Sequence, residues 1–174
     1  MAVLTIREVP DEILTKKCTP VKEVTPKIRE LIQDMIETMH EANGVGLAAP
    51  QVGILKRIFV VDVTGEDAFC CINPEIMTSE GEQTAYEGCL SVPGYSGVVT
   101  RADKVKIRAF DENMQPFEME AEEFLARAIQ HEYDHLEGIV YSEKAEGELI
   151  TNEELEKLME EAAAKEQEEE ETQE

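Results

Sequence analysis

The chain has 174 residues, 42% hydrophobic and 32% charged, which fits one globular domain with a single sizeable core. Its formal charge of −23 repels phosphates, so a general nucleic-acid binder, and direct DNA binding in particular, is excluded. The opening Met1-Ala2-Val3-Leu4-Thr5-Ile6-Arg7 lacks the apolar run of a signal peptide, and no stretch approaches the ~20 apolar residues of a membrane span, so a cytoplasmic protein without membrane association is expected.

Thr25-Pro26, followed by apolar Ile28, Leu31, Ile32, Met35, Ile36 and Met39, supplies an N-cap, a proline at the first helical position and a continuous apolar stripe. The pattern predicts a core-packed helix ending near Ala42. His40 lies near its C-terminal end, where a cation favours the helix dipole, and is not taken as a ligand. A loop rich in glycine and small residues, Asn43 to Gly53, leads to a buried strand at Arg57-Ile58-Phe59-Val60-Val61-Asp62-Val63. Cys70-Cys71-Ile72 reads as a second short strand that turns at Asn73-Pro74. Val105, Ile107 and Ala109 alternate with charged residues, and Asp111-Glu112-Asn113 separates them from Phe117 and Met119, which predicts an antiparallel hairpin.

The period then becomes helical from near Glu122 to just before Gly138, with Phe124, Leu125, Ala128, Ile129, Glu132, His135 and Leu136 on one face. Gly138-Ile139-Val140-Tyr141 is expected to return as a strand, and Thr151-Asn152-Glu153-Glu154 to open a last helix as a capping box. Beyond Lys165 the run Glu166-Gln167-Glu168-Glu169-Glu170-Glu171 has no apolar face to bury and is expected to fray or be disordered. Residues 1–150 are therefore read as the catalytic domain and 151–174 as an acidic C-terminal helix and tail. The whole is expected to be α+β, with antiparallel strands around the single inward-facing helix.

That helix carries His131-Glu132-Tyr133-Asp134-His135, the HExxH pattern. Residues four apart share a helix face, so His131 and His135 can bond one metal ion while Glu132 faces the water beside it. Two histidines leave such a site one ligand short. The four cysteines, Cys18, Cys70, Cys71 and Cys89, form no CxxC pair or disulfide framework, and a cytosolic setting keeps them reduced. Cys89, in Glu87-Gly88-Cys89-Leu90-Ser91-Val92-Pro93-Gly94, sits in a segment built for close backbone approach. The residues alone leave it between a ligand and a small buried hydrophobe.

Three segments carry a resemblance: Gly44-Val45-Gly46-Leu47-Ala48-Ala49-Pro50-Gln51, Glu87-Gly88-Cys89-Leu90-Ser91 and Gln130-His131-Glu132-Tyr133-Asp134-His135. In order and spacing they are similar to the signature motifs of the bacterial peptide deformylases. The resemblance implies hydrolysis of the formyl group from N-formylmethionine at the start of nascent polypeptides, with release of formate. It implies Cys89, His131 and His135 as ligands of ferrous iron (Fe2+), with Ni2+, Co2+ or Zn2+ able to occupy the same site, and Glu132 as the proton carrier. It also implies Gln51 and the Leu90 backbone as donors to the developing oxyanion, and Gly46 as a backbone partner of the N-formylmethionyl peptide.

By the same resemblance Val45, Phe124 and Ala128 line the methionine pocket, although apolar residues on this face equally suit ordinary core. Arg101 is expected to pair with Glu87 behind the cysteine; Arg127 is assigned to solvent, and Asp134 either to the cysteine loop or to solvent. Some relatives dock on the ribosome through a basic C-terminal helix. The 14 Glu and 3 Lys between Ser142 and Glu174 speak against that route here.

Two other readings compete. A metallopeptidase cutting internal peptide bonds takes its third ligand downstream of the helix, and no histidine follows His135. A closed structural metal site leaves Glu132 idle.

Overall fold

The computed structural model describes residues 2–172; Met1 of the expected leaderless start, and Gln173 and Glu174 of the expected tail, lie outside them. Helix α1, Pro26–Glu41, is capped by the Thr25 hydroxyl, which accepts from the Ile28 N–H at 3.2 Å, with proline at its first position. It leads through Asn43 into strand β1, Gly46–Ala48, and a short 3₁₀ helix at Ala49–Val52. The expected loop is thus partly regular, because β1 gains backbone partners on β2, Ile58–Val61.

β2 is buried along its whole length, since it is sandwiched between the two main helices. Phe59 and Val61 pack into the core shared with the HExxH helix, while Ile58 and Val60 pack into the core under α1. Two covered faces require an unbroken apolar run, the reason Ile58-Phe59-Val60-Val61 shows no alternation.

β3, Phe69–Glu80, does not stop at Asn73-Pro74 as expected. Asn73 adopts a left-handed conformation, φ 51°, and the register with the neighbouring strand at 104–110 shifts between Ile72 and Glu75, so the chain bulges and continues. The Asn73 side chain takes up the distortion by accepting from Val21 N and donating to Val21 O, both at 2.8 Å. The predicted hairpin is present as β6, Lys104–Phe110, and β7, Pro116–Glu122, and completes a five-stranded sheet in the order β1-β2-β3-β6-β7.

A second sheet of three strands, ordered β4-β5-β8, contains β4, Gln83–Cys89, β5, Val92–Arg101, and β8, Glu146–Thr151. Its pairing is antiparallel throughout. The expected strand at Gly138–Tyr141 does not form: Ile139 and Val140 pair with no strand, and the chain enters a 3₁₀ turn at Tyr141–Glu143, because Val140 and Tyr141 are drawn into the core with Leu14, Val92 and Val99.

Helix α2, Glu123–Leu136, lies between the sheets with His131, Glu132 and His135 buried. The last helix, α3, Asn152–Thr172, opens with the expected reciprocal Thr151–Glu154 capping bonds and has no buried residue. It stays helical past Lys165 through the acidic run, because its backbone bonds are satisfied locally and glutamate is a good helix former.

Candidate active site

Cys89 and the two histidines reach one point from different elements. β4 ends at Cys89 after a register shift at Gly88, and α2 projects His131 and His135 from successive turns. The Cys89 sulfur and one nitrogen of each imidazole lie within 4.8 Å of one another, with Cys89 Sγ 3.4 Å from His135 Nε2. Ligands bonded to one ion at ~2.0–2.3 Å stand about 3–4.5 Å apart, so the cluster fits a single metal held by one thiolate and two imidazoles. Cys18, Cys70 and Cys71 are all buried elsewhere, in the cores on either side of β2.

The three donors lie beside a cavity of about 390 Å³ lined by Val45, Gly46, Gln51, Leu90, Phe124, Ala128 and Glu132, among others. All of the expected pocket and reaction residues therefore converge on one space. Phe124 departs from its expected place on the buried face, being 52% exposed, because it occupies the first turn of α2 where the cavity opens. Tyr86 and Tyr95, which sequence reasoning passed over, also line it.

Glu132 is 3% exposed, and its Oε2 has no hydrogen-bond partner among the described residues. Burial raises its carboxyl to about 7, against the pull of the nearby His131 charge. Gly46 packs directly on it: a Cβ there would stand 2.7 Å from Glu132 Oε1, so only glycine lets the edge strand approach this closely. Gln51 is fixed on both ends of its amide. Oε1 accepts from Ala48 N at 2.9 Å, while Nε2 donates to Ser91 Oγ at 3.0 Å and points at Cys89 Sγ at 3.5 Å.

Behind the donors lies a buried ion cluster. Glu87 takes a bidentate pair from Arg101, Nε at 2.8 Å and Nη2 at 2.6 Å, as expected, and its Oε1 also pairs with His131 Nδ1. Burial pushes the Glu87 carboxyl up, but hydrogen bonds and charge from Arg101 and His131 outweigh it and hold the group well below the usual range. Arg127 does not reach solvent. It is 4% exposed and donates to Glu87 Oε2 at 2.7 Å. Asp134 is not solvated either, for it accepts from Arg101 Nη1 at 2.9 Å and pairs with Lys144 at 2.9 Å. Both corrections have one cause: Arg127, His131 and Asp134 are spaced i, i+4, i+7, so the stripe that buries the histidine buries its charged neighbours. That spacing was available in the sequence. His40 stays outside the cavity and bonds Asp62 Oδ2 at 2.7 Å.

A family model described as "Polypeptide deformylase" matches residues 3–149. A peptide deformylase of Agathobacter rectalis is 62% identical over 149 residues, covering 86% of this chain and 94% of that protein. Peptide deformylase 1 of Clostridium perfringens is 58% identical over 142 residues, covering 81% and 97%. Among solved structures, a peptide deformylase from Legionella pneumophila superposes with a TM-score of 0.81 at 42% identity, covering 83% of this chain and 86% of that one. One from Thermotoga maritima does so with a TM-score of 0.81 at 38% identity, covering 83% and 99%.

Proposed function

This chain belongs to the polypeptide deformylase family and is a hydrolase that removes the N-formyl group from nascent peptides; we propose that it does so at the Cys89–His131–His135 cluster. The observation that carries the assignment of the site is the cluster's position: three converging donors beside a cavity, with an unpaired buried carboxylate oxygen next to them.

The family is one of metalloenzymes, and the donor set here suits several first-row ions. Ferrous iron is proposed on the family resemblance, with nickel, cobalt or zinc able to take the same place. When bound, the metal supplies Lewis acidity that acidifies a water and polarises the formyl carbonyl. Glu132 Oε2 takes the proton of the attacking water and later delivers it to the departing amine. Negative charge developing on the formyl oxygen meets Gln51 Nε2 and the Leu90 backbone N–H, and Gln51 is preorganised for this by its bonds to Ala48 and Ser91.

Among the described residues β1 pairs only with β2, which leaves one edge open. There Gly46 can pair with the substrate main chain as an added strand. Val45, Phe124 and Ala128 then receive the methionine side chain. Glu87 and Arg101 act from behind, fixing the His131 ring through Nδ1.

Among the described residues no helix is long and apolar enough to cross a membrane. The cytoplasm, where nascent chains begin, is the proposed location. The acidic α3 has no surface for phosphates, so we propose that any meeting with the ribosome does not use a basic C-terminal helix on its RNA.

The deciding experiment measures formate released from formyl-Met-Ala-Ser by anaerobically purified protein, beside the acetylated peptide. Formate from the first and no cleavage of the second is expected. No formate from metal-loaded protein, or cleavage at an internal bond, would overturn the reading.

A further inference from the structure

Arg127 is the one buried guanidinium of the site that no step of the reaction calls on. It stands on α2 one turn before His131 and reaches across to both β4 and β5. Nη1 donates to Glu87 Oε2 at 2.7 Å and Nε to Gln83 Oε1 at 3.2 Å, while Nη2 donates to the Gln83 carbonyl at 3.1 Å and the Val99 carbonyl at 3.0 Å. One side chain thus ties a helix to two strands through four bonds, and its contact with Glu87 falls two residues before Cys89 in β4.

The position has a geometric consequence. Cys89 belongs to the three-stranded sheet and the histidines to the helix, so the donor cluster exists only if the two keep a fixed separation. Arg101 ties them at one end, from β5 to Asp134, and Arg127 ties them at the other, from α2 to β4. Charge points the same way. Arg127 is one of the two guanidinium groups on Glu87, so its loss leaves that buried carboxylate beside His131 with Arg101 alone of the two.

We propose that Arg127 is a positioning residue for the metal: it locks the cysteine strand against the histidine helix and aims Glu87 at His131 Nδ1. The inference rests on the metal-site reading above, and its test reads metal affinity and ligand geometry in place of turnover.

The test uses the full-length chain and two variants, Arg127→Met and Arg127→Lys, stripped with a chelator and titrated anaerobically with Co2+. The thiolate-to-cobalt and ligand-field absorptions report affinity and geometry together. Arg127→Met should weaken Co2+ binding by about 10–100-fold, the range typical of lost supporting contacts, and alter the visible spectrum. Arg127→Lys keeps the charge but cannot span Glu87, Gln83 and Val99 at once, so it should recover only part of the affinity.

Near-UV circular dichroism and the urea midpoint establish that each variant is folded; should the methionine variant not fold, the lysine variant decides. Folded variants with wild-type affinity and spectrum would overturn the proposal and leave Arg127 a stabilising contact only. A wild-type chain that takes up no Co2+ would overturn the metal reading itself, and this inference with it.

Discussion

At the scale of single residues, three of the four cysteines are unsuited to ligate a metal. Burial raises the Cys18 thiol to about 11 and, with the adjacent Glu112, the Cys70 thiol to about 12, and it holds the Cys71 thiol well above its ordinary value. Such thiols stay protonated and make poor ligands. Cys89→Ala should therefore abolish tight metal binding, whereas Cys70→Ala and Cys71→Ala should retain it, as metal analysis of the purified variants will read. Equal loss in all three would sink the assignment of Cys89. Glu132 and Gln51 separate catalysis from ligation. Glu132→Ala should keep its metal but lose at least ~10²-fold in turnover, and Gln51→Ala ~10²–10³-fold, through the missing proton carrier and oxyanion donor respectively. Metal-free Glu132→Ala protein would make that carboxylate a ligand or a support, and near-normal turnover in Gln51→Ala would remove the amide from the mechanism.

At the scale of elements, the β3 bulge shows how one residue carries a strand past a turn signal. Asn73 holds a left-handed backbone and two bonds to Val21, anchoring the N-terminal segment to the sheet. Asn73→Ala loses both bonds and retains the backbone cost, so it should destabilise the fold by about 2–3 kcal/mol. A urea midpoint that falls at constant slope would report this, with metal content per folded molecule unchanged. An unchanged midpoint would mean that the bulge does not depend on the asparagine. α2 illustrates the opposite case, in which spacing along one helix is sufficient to assemble half of the site. Gly138 ends it with φ 78°, and a Cβ there would stand 2.6 Å from the Thr15 carbonyl, so the N-terminal segment packs tightly at the helix exit.

At the scale of the whole molecule, the site lies where two sheets meet one helix, and α3 reaches the cavity through its first residue, Asn152, before running away from it. That helix touches β5 and β8 near its start and buries no residue. Ending the chain at Lys165 should therefore leave metal content and deformylation of a formylated tripeptide nearly unchanged. Solubility is where an effect should appear, because the removed residues carry charge and none of the described ones among them is buried. An order-of-magnitude fall in turnover, with the truncated protein still folded, would show that the acidic run acts on the active site.

Much of this was legible in the residues themselves. The HExxH helix, α1 with its cap, the β6–β7 hairpin and the capping box at Thr151 all rest on contacts between residues a few positions apart, which spacing and side-chain type specify locally. The motifs around Gly46, Gln51 and Cys89 pointed to the site through the family resemblance, since the residues alone left Cys89 open. What only the tertiary structure decided is how distant segments meet. β4 reads as polar chain, Gln83-Thr84-Ala85-Tyr86-Glu87-Gly88-Cys89, and becomes a strand through pairing with β5. Arg127 and Glu87 are 40 residues apart, and Arg101 and Asp134 are 33 apart. A charge on a helix carries no mark of its partner; only packing α2 between the sheets withdraws those groups from water, and desolvation then makes each seek the other.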